Sequence, residues 1–201
     1  MPHQVDMADA VTIGLANGER DLDGIIALQR ANLEVTVGAE SAARDGFVTV
    51  VHSREVLAAM HAICPSVVAK VGDEVVAYAL VMPFECRPFV PILEPMFALL
   101  ETLDLAPSAE VPPRPIARVP SYVMGQVCVA PAHRGTGLFD ALYAAHREHF
   151  AGRWELCVTD VATRNTRSLR AHERVGFQRL ATYTDATDTW VMVGLWLRIV
   201  R

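Results

Sequence analysis

Residues 129–138 read VAPAHRGTGL and are the most informative segment of the chain, because they join a predicted strand to a predicted helix. Gly135 and Gly137 have no Cβ atom, so an anion can approach the backbone closely there. The first turn of a helix also offers free N–H groups and a partial positive charge. These features predict a pyrophosphate site at residues 134–139. The alternative is that the glycines serve the turn alone.

The two commonest nucleotide-binding motifs do not fit this turn. A Rossmann fingerprint would need a third glycine where Asp140 stands, and a P-loop would need Gly-Lys followed by Ser or Thr. Hydrophobic patterns on either side predict a strand at 122–129, a helix at 135–150 and a strand at 154–160. In such a βαβ unit the two strands are parallel and the crossover is right-handed.

The other elements follow from hydrophobic periodicity and capping signals. They are a strand at 11–16, a helix capped by Asp21, a helix from Ser53 to Pro65, hairpin strands at 67–71 and 74–82, a helix at 165–175, and strands at 178–184 and 190–199. A chain of 201 residues can bury one well-filled core, so we expect residues 1–201 to form a single domain.

Composition and charge argue against several classes of protein. The chain has 18 Lys and Arg against 23 Asp and Glu, a formal net charge of -5, which disfavours binding to nucleic acid or to an anionic membrane surface. No run approaches the ~20 apolar residues of a membrane-spanning helix, and the first six residues lack the features of a signal peptide. We therefore expect a cytoplasmic protein. The four cysteines lie far apart, so neither a metal site nor a disulfide framework is indicated.

Two separated motifs resemble those of the GNAT superfamily of acetyl-CoA-dependent N-acetyltransferases. The family's Val-x-Pro-x-x-Arg and the overlapping Arg/Gln-x-x-Gly-x-Gly/Ala are matched in register by Val129, Pro131, Arg134, Gly137 and Leu138. The family's Asn-x-x-Ala-x-x-x-Tyr-x-x-x-Gly-Phe has its counterparts in Asn165, Ser168, His172, Gly176 and Phe177.

The resemblance implies both a fold and an activity. The expected fold is α/β (α+β), with a mixed, mostly antiparallel central sheet of about seven strands that contains a central splayed parallel pair, flanked by about four helices. The expected activity is direct transfer of acetyl from acetyl-CoA to a primary amine, on a small molecule or a peptide, through a tetrahedral intermediate and without a metal. The alternatives are a non-catalytic acyl-CoA sensor or interaction module on the same fold, and an unrelated α/β domain.

The resemblance also implies which residues bind the cofactor. In the family the turn after the fourth strand holds the CoA pyrophosphate, and the pantetheine arm pairs with that strand. The residues expected to bind acetyl-CoA are Val127, Val129, Arg134, Gly135, Thr136, Gly137, Leu138, Phe139, Asn165 and Ser168. Phe139 departs from the family's Gly or Ala, so its ring should turn away from the phosphates, toward Tyr143 and His146. Asn165 could also act as a helix N-cap.

Catalytic roles are predicted for two side chains. A backbone N–H at residues 127–129 would polarise the thioester carbonyl. His172 stands where the family often has a tyrosine that is thought to protonate the departing thiolate, so it is the candidate general acid; the alternative is that it packs in the core. Asp160 is the candidate general base, with Glu85 and Glu94 as less favoured alternatives. The arginines at 164, 167 and 170 either meet the CoA 3′-phosphate or are solvated.

Nine of the twelve prolines fall at positions 83–120 and predict a long, mostly irregular insertion. Pro95 suits the start of a helix, whose apolar face would be formed by Met96, Leu99, Leu100 and Leu103. We expect Met96, Phe97, Leu99 and Leu100 to form either a lid or wall over the acceptor site or the interface of a homodimer.

Overall fold

The computed structural model of the protein describes residues 10–38 and 46–198. The opening segment 1–6, on which the signal-peptide argument rests, and the last predicted strand residue, Ile199, lie outside this part of the chain.

The described residues form eleven strands and six α-helices. The strands are β1 Val11–Leu15, β2 Val67–Val71, β3 Glu74–Ala79, β4 Met82–Pro83, β5 Asp104–Leu105, β6 Arg114–Pro115, β7 Ser121–Val123, β8 Val127–Val129, β9 Leu156–Ala162, β10 Gln178–Thr184 and β11 Thr189–Trp196. The helices are α1 Gly18–Asn32, α2 Glu34–Val37, α3 Arg54–Ile63, α4 Glu94–Leu100, α5 Leu138–Phe150 and α6 Thr166–Arg174.

Two sheets meet at the centre of the fold. One has the order β1-β2-β3-β8 and the other β10-β11-β9-β7-β4. Strands β7 and β9 are parallel, and the other neighbouring strands of these two sheets are antiparallel. The seven predicted strands are all present, two of them broken into halves. The predicted fold class, a mixed sheet with a splayed parallel pair, is confirmed.

The prediction of one continuous strand at 122–129 was wrong in detail. Its first half, β7, pairs with β9, whereas its second half, β8, pairs only with β3. The break lies at Gly125, where an added Cβ would come within 2.1 Å of the Met82 sulfur. A side chain at this position would therefore force the Met82 side chain to move. The predicted strand 74–82 is broken at the same level, between β3 and β4.

Helix α1 begins three residues earlier than its predicted cap. Asp21 lies inside the first turn, and its carboxylate accepts a hydrogen bond from the Asn17 N–H at 2.8 Å. It therefore satisfies the N–H of the N-cap residue from within the helix, one position beyond the place of the glutamate in a capping box. Ser53 caps α3 as predicted, because its hydroxyl accepts from the Val56 N–H.

Side chains alternate between two cores, one on each face of the sheets. Val68 and Tyr78 belong to the first core, together with the apolar faces of α1, α3 and α4. Val67 and Ala77 belong to the second core, together with those of α5 and α6. The sheets are thus covered on both faces, and the gap between β8 and β9 lies between the two layers.

The Pro-rich insertion packs on the first core. Met96, Phe97 and Leu100 of α4 are buried there, and Leu99 packs against the same cluster. Arg87 braces the insertion, because its guanidinium donates to Glu94 and to Glu101. The three buried side chains are not available to a partner, so the dimer interface suggested for them does not fit the structure.

Candidate active site

The glycine turn has the backbone geometry that an anion site needs. Gly135 and Gly137 have φ angles of +78° and +87°, which side-chain-bearing residues rarely adopt, and a Cβ at either would meet nothing within 4 Å. Gly137 is the N-cap of α5 and offers no side chain to cap it. The surface over the turn is therefore open to a ligand.

The amides of this turn have no acceptor within the described part of the chain. The first hydrogen bond of α5 runs from the Ala141 N–H to the Gly137 carbonyl, at 3.0 Å. Among residues 10–38 and 46–198, no group accepts from the N–H of residues 135–140. A row of unpaired amides at a helix start favours a negatively charged ligand.

Strand β8 presents a second set of amides without a partner in the described part of the chain. One backbone hydrogen bond at each end sets its register against β3. The Leu80 N–H donates to the Gln126 carbonyl and the Ala130 N–H donates to the Val76 carbonyl, both at 2.8 Å. Bonded residues alternate along antiparallel strands, so the N–H groups of Val127 and Val129 point away from β3. They face the side from which β9 has parted.

A cavity of 710 Å³ connects these two features. It is lined by nine of the ten residues predicted to bind the cofactor, namely Val127, Val129, Arg134, Gly135, Gly137, Leu138, Phe139, Asn165 and Ser168. Thr136 is the exception, because its hydroxyl donates to the His133 carbonyl at 2.7 Å and so braces the turn from behind.

Arg134 and Phe139 shape the two ends of the turn. The Arg134 guanidinium donates to the Val129 carbonyl at 3.1 Å and to the Asn32 side chain at 2.6 Å, which ties the turn to α1. The Phe139 ring lies 5.0 Å from the Tyr143 ring, as predicted, and 5.1 Å from the ring of His172 rather than against His146. The ring is thereby held among aromatic neighbours.

A row of arginines along α6 forms one wall of the same cavity. Arg167, Arg170 and Arg174 line it at spacings of three and four residues, which place them on one helix face. Arg174 is paired with Asp140, at 2.6 Å. Arg174 was not among the arginines predicted to meet the CoA 3′-phosphate, although it lies four residues after Arg170 on the same helix face. Arg164, which was among them, lies instead beside a second cavity.

The second cavity has a volume of 320 Å³ and adjoins the first. Five residues line both, namely Phe47, Val48, Val127, Asn165 and Ser168. Apolar side chains of the insertion, including Ile92 and Met96, form part of its wall. The insertion thus serves as a wall of this site, through Met96 among the residues predicted for that role.

Asp160 lies in the wall of the second cavity. One carboxylate oxygen accepts a hydrogen bond from the Tyr183 hydroxyl, and the other is buried without a partner among the described residues. Burial raises the pKa of Asp160 to about 7. Glu85 and Glu94 line neither cavity, and Glu94 is paired with Arg87. Of the three candidate bases, the structure therefore places Asp160 alone beside the site.

His172 is buried and hydrogen-bonded through both ring nitrogens. Nδ1 lies 2.8 Å from the Ser168 carbonyl, which can only accept, so Nδ1 carries the proton. Nε2 then accepts from the Tyr143 hydroxyl at 3.0 Å. Burial lowers the pKa of His172 to about 4. A general acid here would need a protonated imidazole, which this environment disfavours; the catalytic role stays a prediction.

Asn165 is the N-cap of α6, as the alternative interpretation of this residue had it. Its side-chain oxygen accepts from the Ser168 N–H at 3.2 Å, and its amide nitrogen donates to the Phe47 carbonyl. The helix ends at Arg174 with Val175 as its C-cap; Gly176 follows with a φ of +103°, and Phe177 folds back into the second core. These residues position the arginine face and Ser168 along the cavities.

Among residues 10–38 and 46–198, no group of three or more His, Cys, Asp or Glu side chains could hold a metal ion. In the same residues no helix combines the length and the apolar character that a membrane span requires.

Fold and site together define an acyl-CoA N-acyltransferase scaffold. A sequence profile of the acetyltransferase (GNAT) family matches residues 42–177, more than half of the chain. The chain therefore belongs to the GNAT family of acetyltransferases. A comparison with curated proteins finds no significant match.

Solved structures with the same fold include several acetyltransferases. The ribosomal-protein-S18-alanine N-acetyltransferase from Escherichia coli is 12% identical, with a TM-score of 0.60 over 96% of this chain and 97% of that one. An N-acetyltransferase from Staphylococcus aureus Mu50 is 16% identical, with a TM-score of 0.59 over 94% and 100%. A protein from Salmonella typhimurium, solved with its cofactor acetyl-CoA, is 16% identical, with a TM-score of 0.58 over 95% and 96%.

Proposed function

We propose that the protein transfers an acetyl group from acetyl-CoA to a primary amine. The observation that carries this proposal is the gap between β8 and β9, where unpaired strand amides lead from the glycine turn to a second cavity. The neighbour solved with acetyl-CoA supports the choice of donor.

The first cavity suits the parts of acetyl-CoA. The amides of residues 135–140 would hold the pyrophosphate, and Arg170 and Arg174 add positive charge beside it. The N–H groups of Val127 and Val129 would pair with the amide-bearing pantetheine arm, as one strand pairs with another. Acetyl-CoA supplies the activated acetyl group, and these residues hold and orient it.

Val127 lines both cavities, so its N–H is suited to the carbonyl at which the amine attacks. A fixed donor there would stabilise negative charge that develops on the carbonyl oxygen. Asp160 lines the cavity from which the amine would approach, and with a pKa of about 7 its carboxylate can accept a proton from the ammonium near neutral pH. Ser168 also lines both cavities and lies near the expected sulfur position, beside His172.

A thiol-release assay tests the proposal directly. Purified protein is incubated with acetyl-CoA and a panel of primary amines, and free CoA is measured together with the acetylated product. We expect amine-dependent release with at least one acceptor. The thermal shift caused by CoA is measured in parallel. Stabilisation without turnover on any acceptor would instead favour the non-catalytic acyl-CoA sensor, and the absence of both effects would favour the unrelated α/β domain.

A further inference from the structure

The second cavity has more carboxylates than cations among its described lining residues. The carboxylates belong to Glu34, Asp160, Asp185 and Asp188. Arg164 is the permanently charged cation of the described lining, and His52 is neutral because burial lowers its pKa to about 4. The site therefore favours a positively charged guest over a negatively charged one.

Arg164 is already engaged by the protein. Its guanidinium binds both oxygens of Glu34, one of them at 2.9 Å, and its Nε donates to Asp188 at 2.6 Å. It also lies 4.5 Å from the centre of the Phe47 ring. A carboxylate on the acceptor would have to compete with two protein carboxylates for this one guanidinium.

The rest of the lining is largely apolar. The insertion contributes Val90, Ile92, Leu93 and Met96, and the strands contribute Val123 and Val161. Ile92 is 53% exposed in the protein, so a guest in the cavity would cover apolar surface that otherwise meets water. The site thus combines an acidic part with an apolar part.

The cavity is also small and bridged. The ion pairs of Arg164 join α2 to the turn between β10 and β11, along its lining. A volume of 320 Å³ is at the lower end of the range for small-molecule pockets, which is about 300–1,000 Å³. This size suits a compact molecule better than several residues of a peptide.

We propose that the acceptor is a small primary amine with an apolar body and no carboxylate or phosphate near the amine. The inference rests on the proposed function, because it assigns the second cavity to the acceptor. The protein would accordingly discriminate against free amino acids, whose α-carboxylate would be repelled by the acidic lining. At an effective dielectric constant of about 20, repulsion between like charges about 6–12 Å apart lowers binding by about 10- to 100-fold.

Matched pairs of acceptors test this inference. Phenethylamine is compared with phenylalanine, and tyramine with tyrosine, by kcat/KM in the thiol-release assay; phenylalaninamide, which lacks the negative charge, is the control for added bulk. We expect the amines to be preferred at least about tenfold, with the amide close to the amine. Equal or better use of the amino acids would overturn the inference. So would a clear preference for a peptide with an N-terminal phenylalanine.

A binding measurement separates this inference from the proposed function. The same pairs are compared by thermal shift in the presence of CoA, which needs no turnover. If the protein releases no thiol with any acceptor, the proposed transfer fails; stabilisation by phenethylamine but not by phenylalanine would still support the acceptor chemistry. Equal stabilisation by both, or by neither, would contradict it.

Two variants test the acidic and the apolar parts separately. Glu34→Gln releases Arg164 from one carboxylate, so the preference for phenethylamine over phenylalanine should fall several-fold. Ile92→Asn places a polar, uncharged group on the apolar wall and should raise the KM for phenethylamine about tenfold, with the KM for acetyl-CoA unchanged. Phe89→Asn is the matched control, since Phe89 is a 38% exposed insertion residue outside the described lining. An unchanged preference in Glu34→Gln together with equal effects of the two insertion variants would contradict the assignment.

Discussion

His172 is buried and Asp160 is partly buried beside the second cavity, and burial moves their pKa values in opposite directions. The pKa of Asp160 rises to about 7, and that of His172 falls to about 4. In each case the neutral form is favoured. At pH 7 the carboxyl group is divided about equally between its two forms, whereas only about 0.1% of the imidazole is protonated. Of the two, Asp160 is the better suited to exchange a proton near neutral pH.

Replacing Asp160 by Asn should lower kcat/KM for the amine by about 10²-fold or more, the usual contribution of a positioned base. The KM for acetyl-CoA should stay within about twofold, because Asp160 does not line the first cavity. In the parent protein kcat/KM should rise with pH through about 7. Steady-state kinetics between pH 5.5 and pH 9 check these expectations, and an unchanged profile in the variant would exclude Asp160 as the base.

Asp160→Asn should lower activity but raise the stability of the fold. A carboxyl group whose pKa is raised in the folded state stabilises the fold below its unfolded pKa of about 4, and that stabilisation is lost as pH rises through about 7. Asn cannot ionise, and its side-chain oxygen can still accept the hydrogen bond from the Tyr183 hydroxyl. The Asp160→Asn variant should therefore gain about 1–4 kcal/mol relative to the parent between pH 5 and pH 8. Denaturant unfolding at both pH values measures this difference.

His172→Leu should destabilise the protein by about 2–4 kcal/mol, because the buried Tyr143 hydroxyl loses its acceptor. The double variant Tyr143→Phe, His172→Leu removes the donor as well, so its loss should be about 1–2 kcal/mol smaller than the sum of the two single losses. If the loss of the double variant equalled the sum of the two single losses, the hydrogen bond between Tyr143 and His172 would not stabilise the protein. If His172 is instead the general acid, His172→Gln should lower kcat about 10²-fold at an unchanged fold.

At the scale of elements, the turn between β8 and α5 depends on glycine backbones rather than on side chains. Gly137→Ala should destabilise the protein by about 1–2 kcal/mol, because its φ of +87° is unfavourable for alanine. The KM for acetyl-CoA should also rise about tenfold, since the added strain displaces the amides that would hold the pyrophosphate. Calorimetry and kinetics measure the two effects.

Gly18→Ala provides the matched control. Gly18 starts α1 with a φ of +73°, and a Cβ there would also meet nothing within 4 Å. The backbone strain should therefore be similar, while the site is untouched. A tenfold rise of the acetyl-CoA KM in both variants would assign the effect to general destabilisation.

The sequence allowed most elements to be predicted, because their signals are local. Hydrophobic periodicity located α5 and α6, and the Gly72 turn located the hairpin of β2 and β3. The change of partner at Gly125 could not be predicted, since it depends on the approach of Met82 from another strand. The glycine turn was recognisable because its residues are contiguous in the sequence and lie at the start of a predicted helix.

The lining of the first cavity was largely predictable from the sequence, whereas that of the second was predictable only in part, through Asp160, His172 and Met96. The turn and strand residues are contiguous in sequence, and nine of the ten line one cavity. The acceptor side is assembled from α2, the insertion, β9 and the turn after β10, which are distant in sequence. The pairing of Glu34 with Arg164 spans 130 positions and has no local signature. Burial of His172 likewise follows from tertiary packing.

At the scale of the whole molecule, both sheets contribute to both cores. Val68 and Leu156 belong to the first core, and Val67 and Cys157 to the second. This shared packing supports the prediction of one domain, because separating the two sheets would expose apolar surface of both. Unfolding should accordingly occur as one cooperative transition.

Three buried imidazoles should make that transition sensitive to acid. Burial lowers the pKa of His52 and His172 to about 4 and that of His146 to about 3. Groups with a lowered pKa stabilise the fold fully above their unfolded pKa of about 6.5, and this is lost as pH falls toward about 4. Unfolding near pH 5 should take up about three protons at the histidines and release about one at Asp160.

The net uptake of about two protons predicts a slope of about 2.7 kcal/mol per pH unit in the free energy of unfolding near pH 5. Urea unfolding at closely spaced pH values measures it. Replacing His52 by Gln should reduce the slope by about 1.4 kcal/mol per pH unit. If the imidazoles titrated normally in the folded state, Asp160 alone would give a slope of about -1.4 kcal/mol per pH unit, so a slope at or below zero would contradict the prediction.

The change of strand pairing at Gly125 separates β8 from β9 and leaves two strand edges that face the interior of the protein. A strand border without a neighbour usually invites another chain to pair with it and begin an aggregate. Here the amides of Val127 and Val129 line a cavity between the two layers rather than an outer edge of a sheet. A slender ligand with amide groups of its own could pair with them there. The inward position of this strand edge should therefore make pairing between copies of the protein less favourable than at an outer edge.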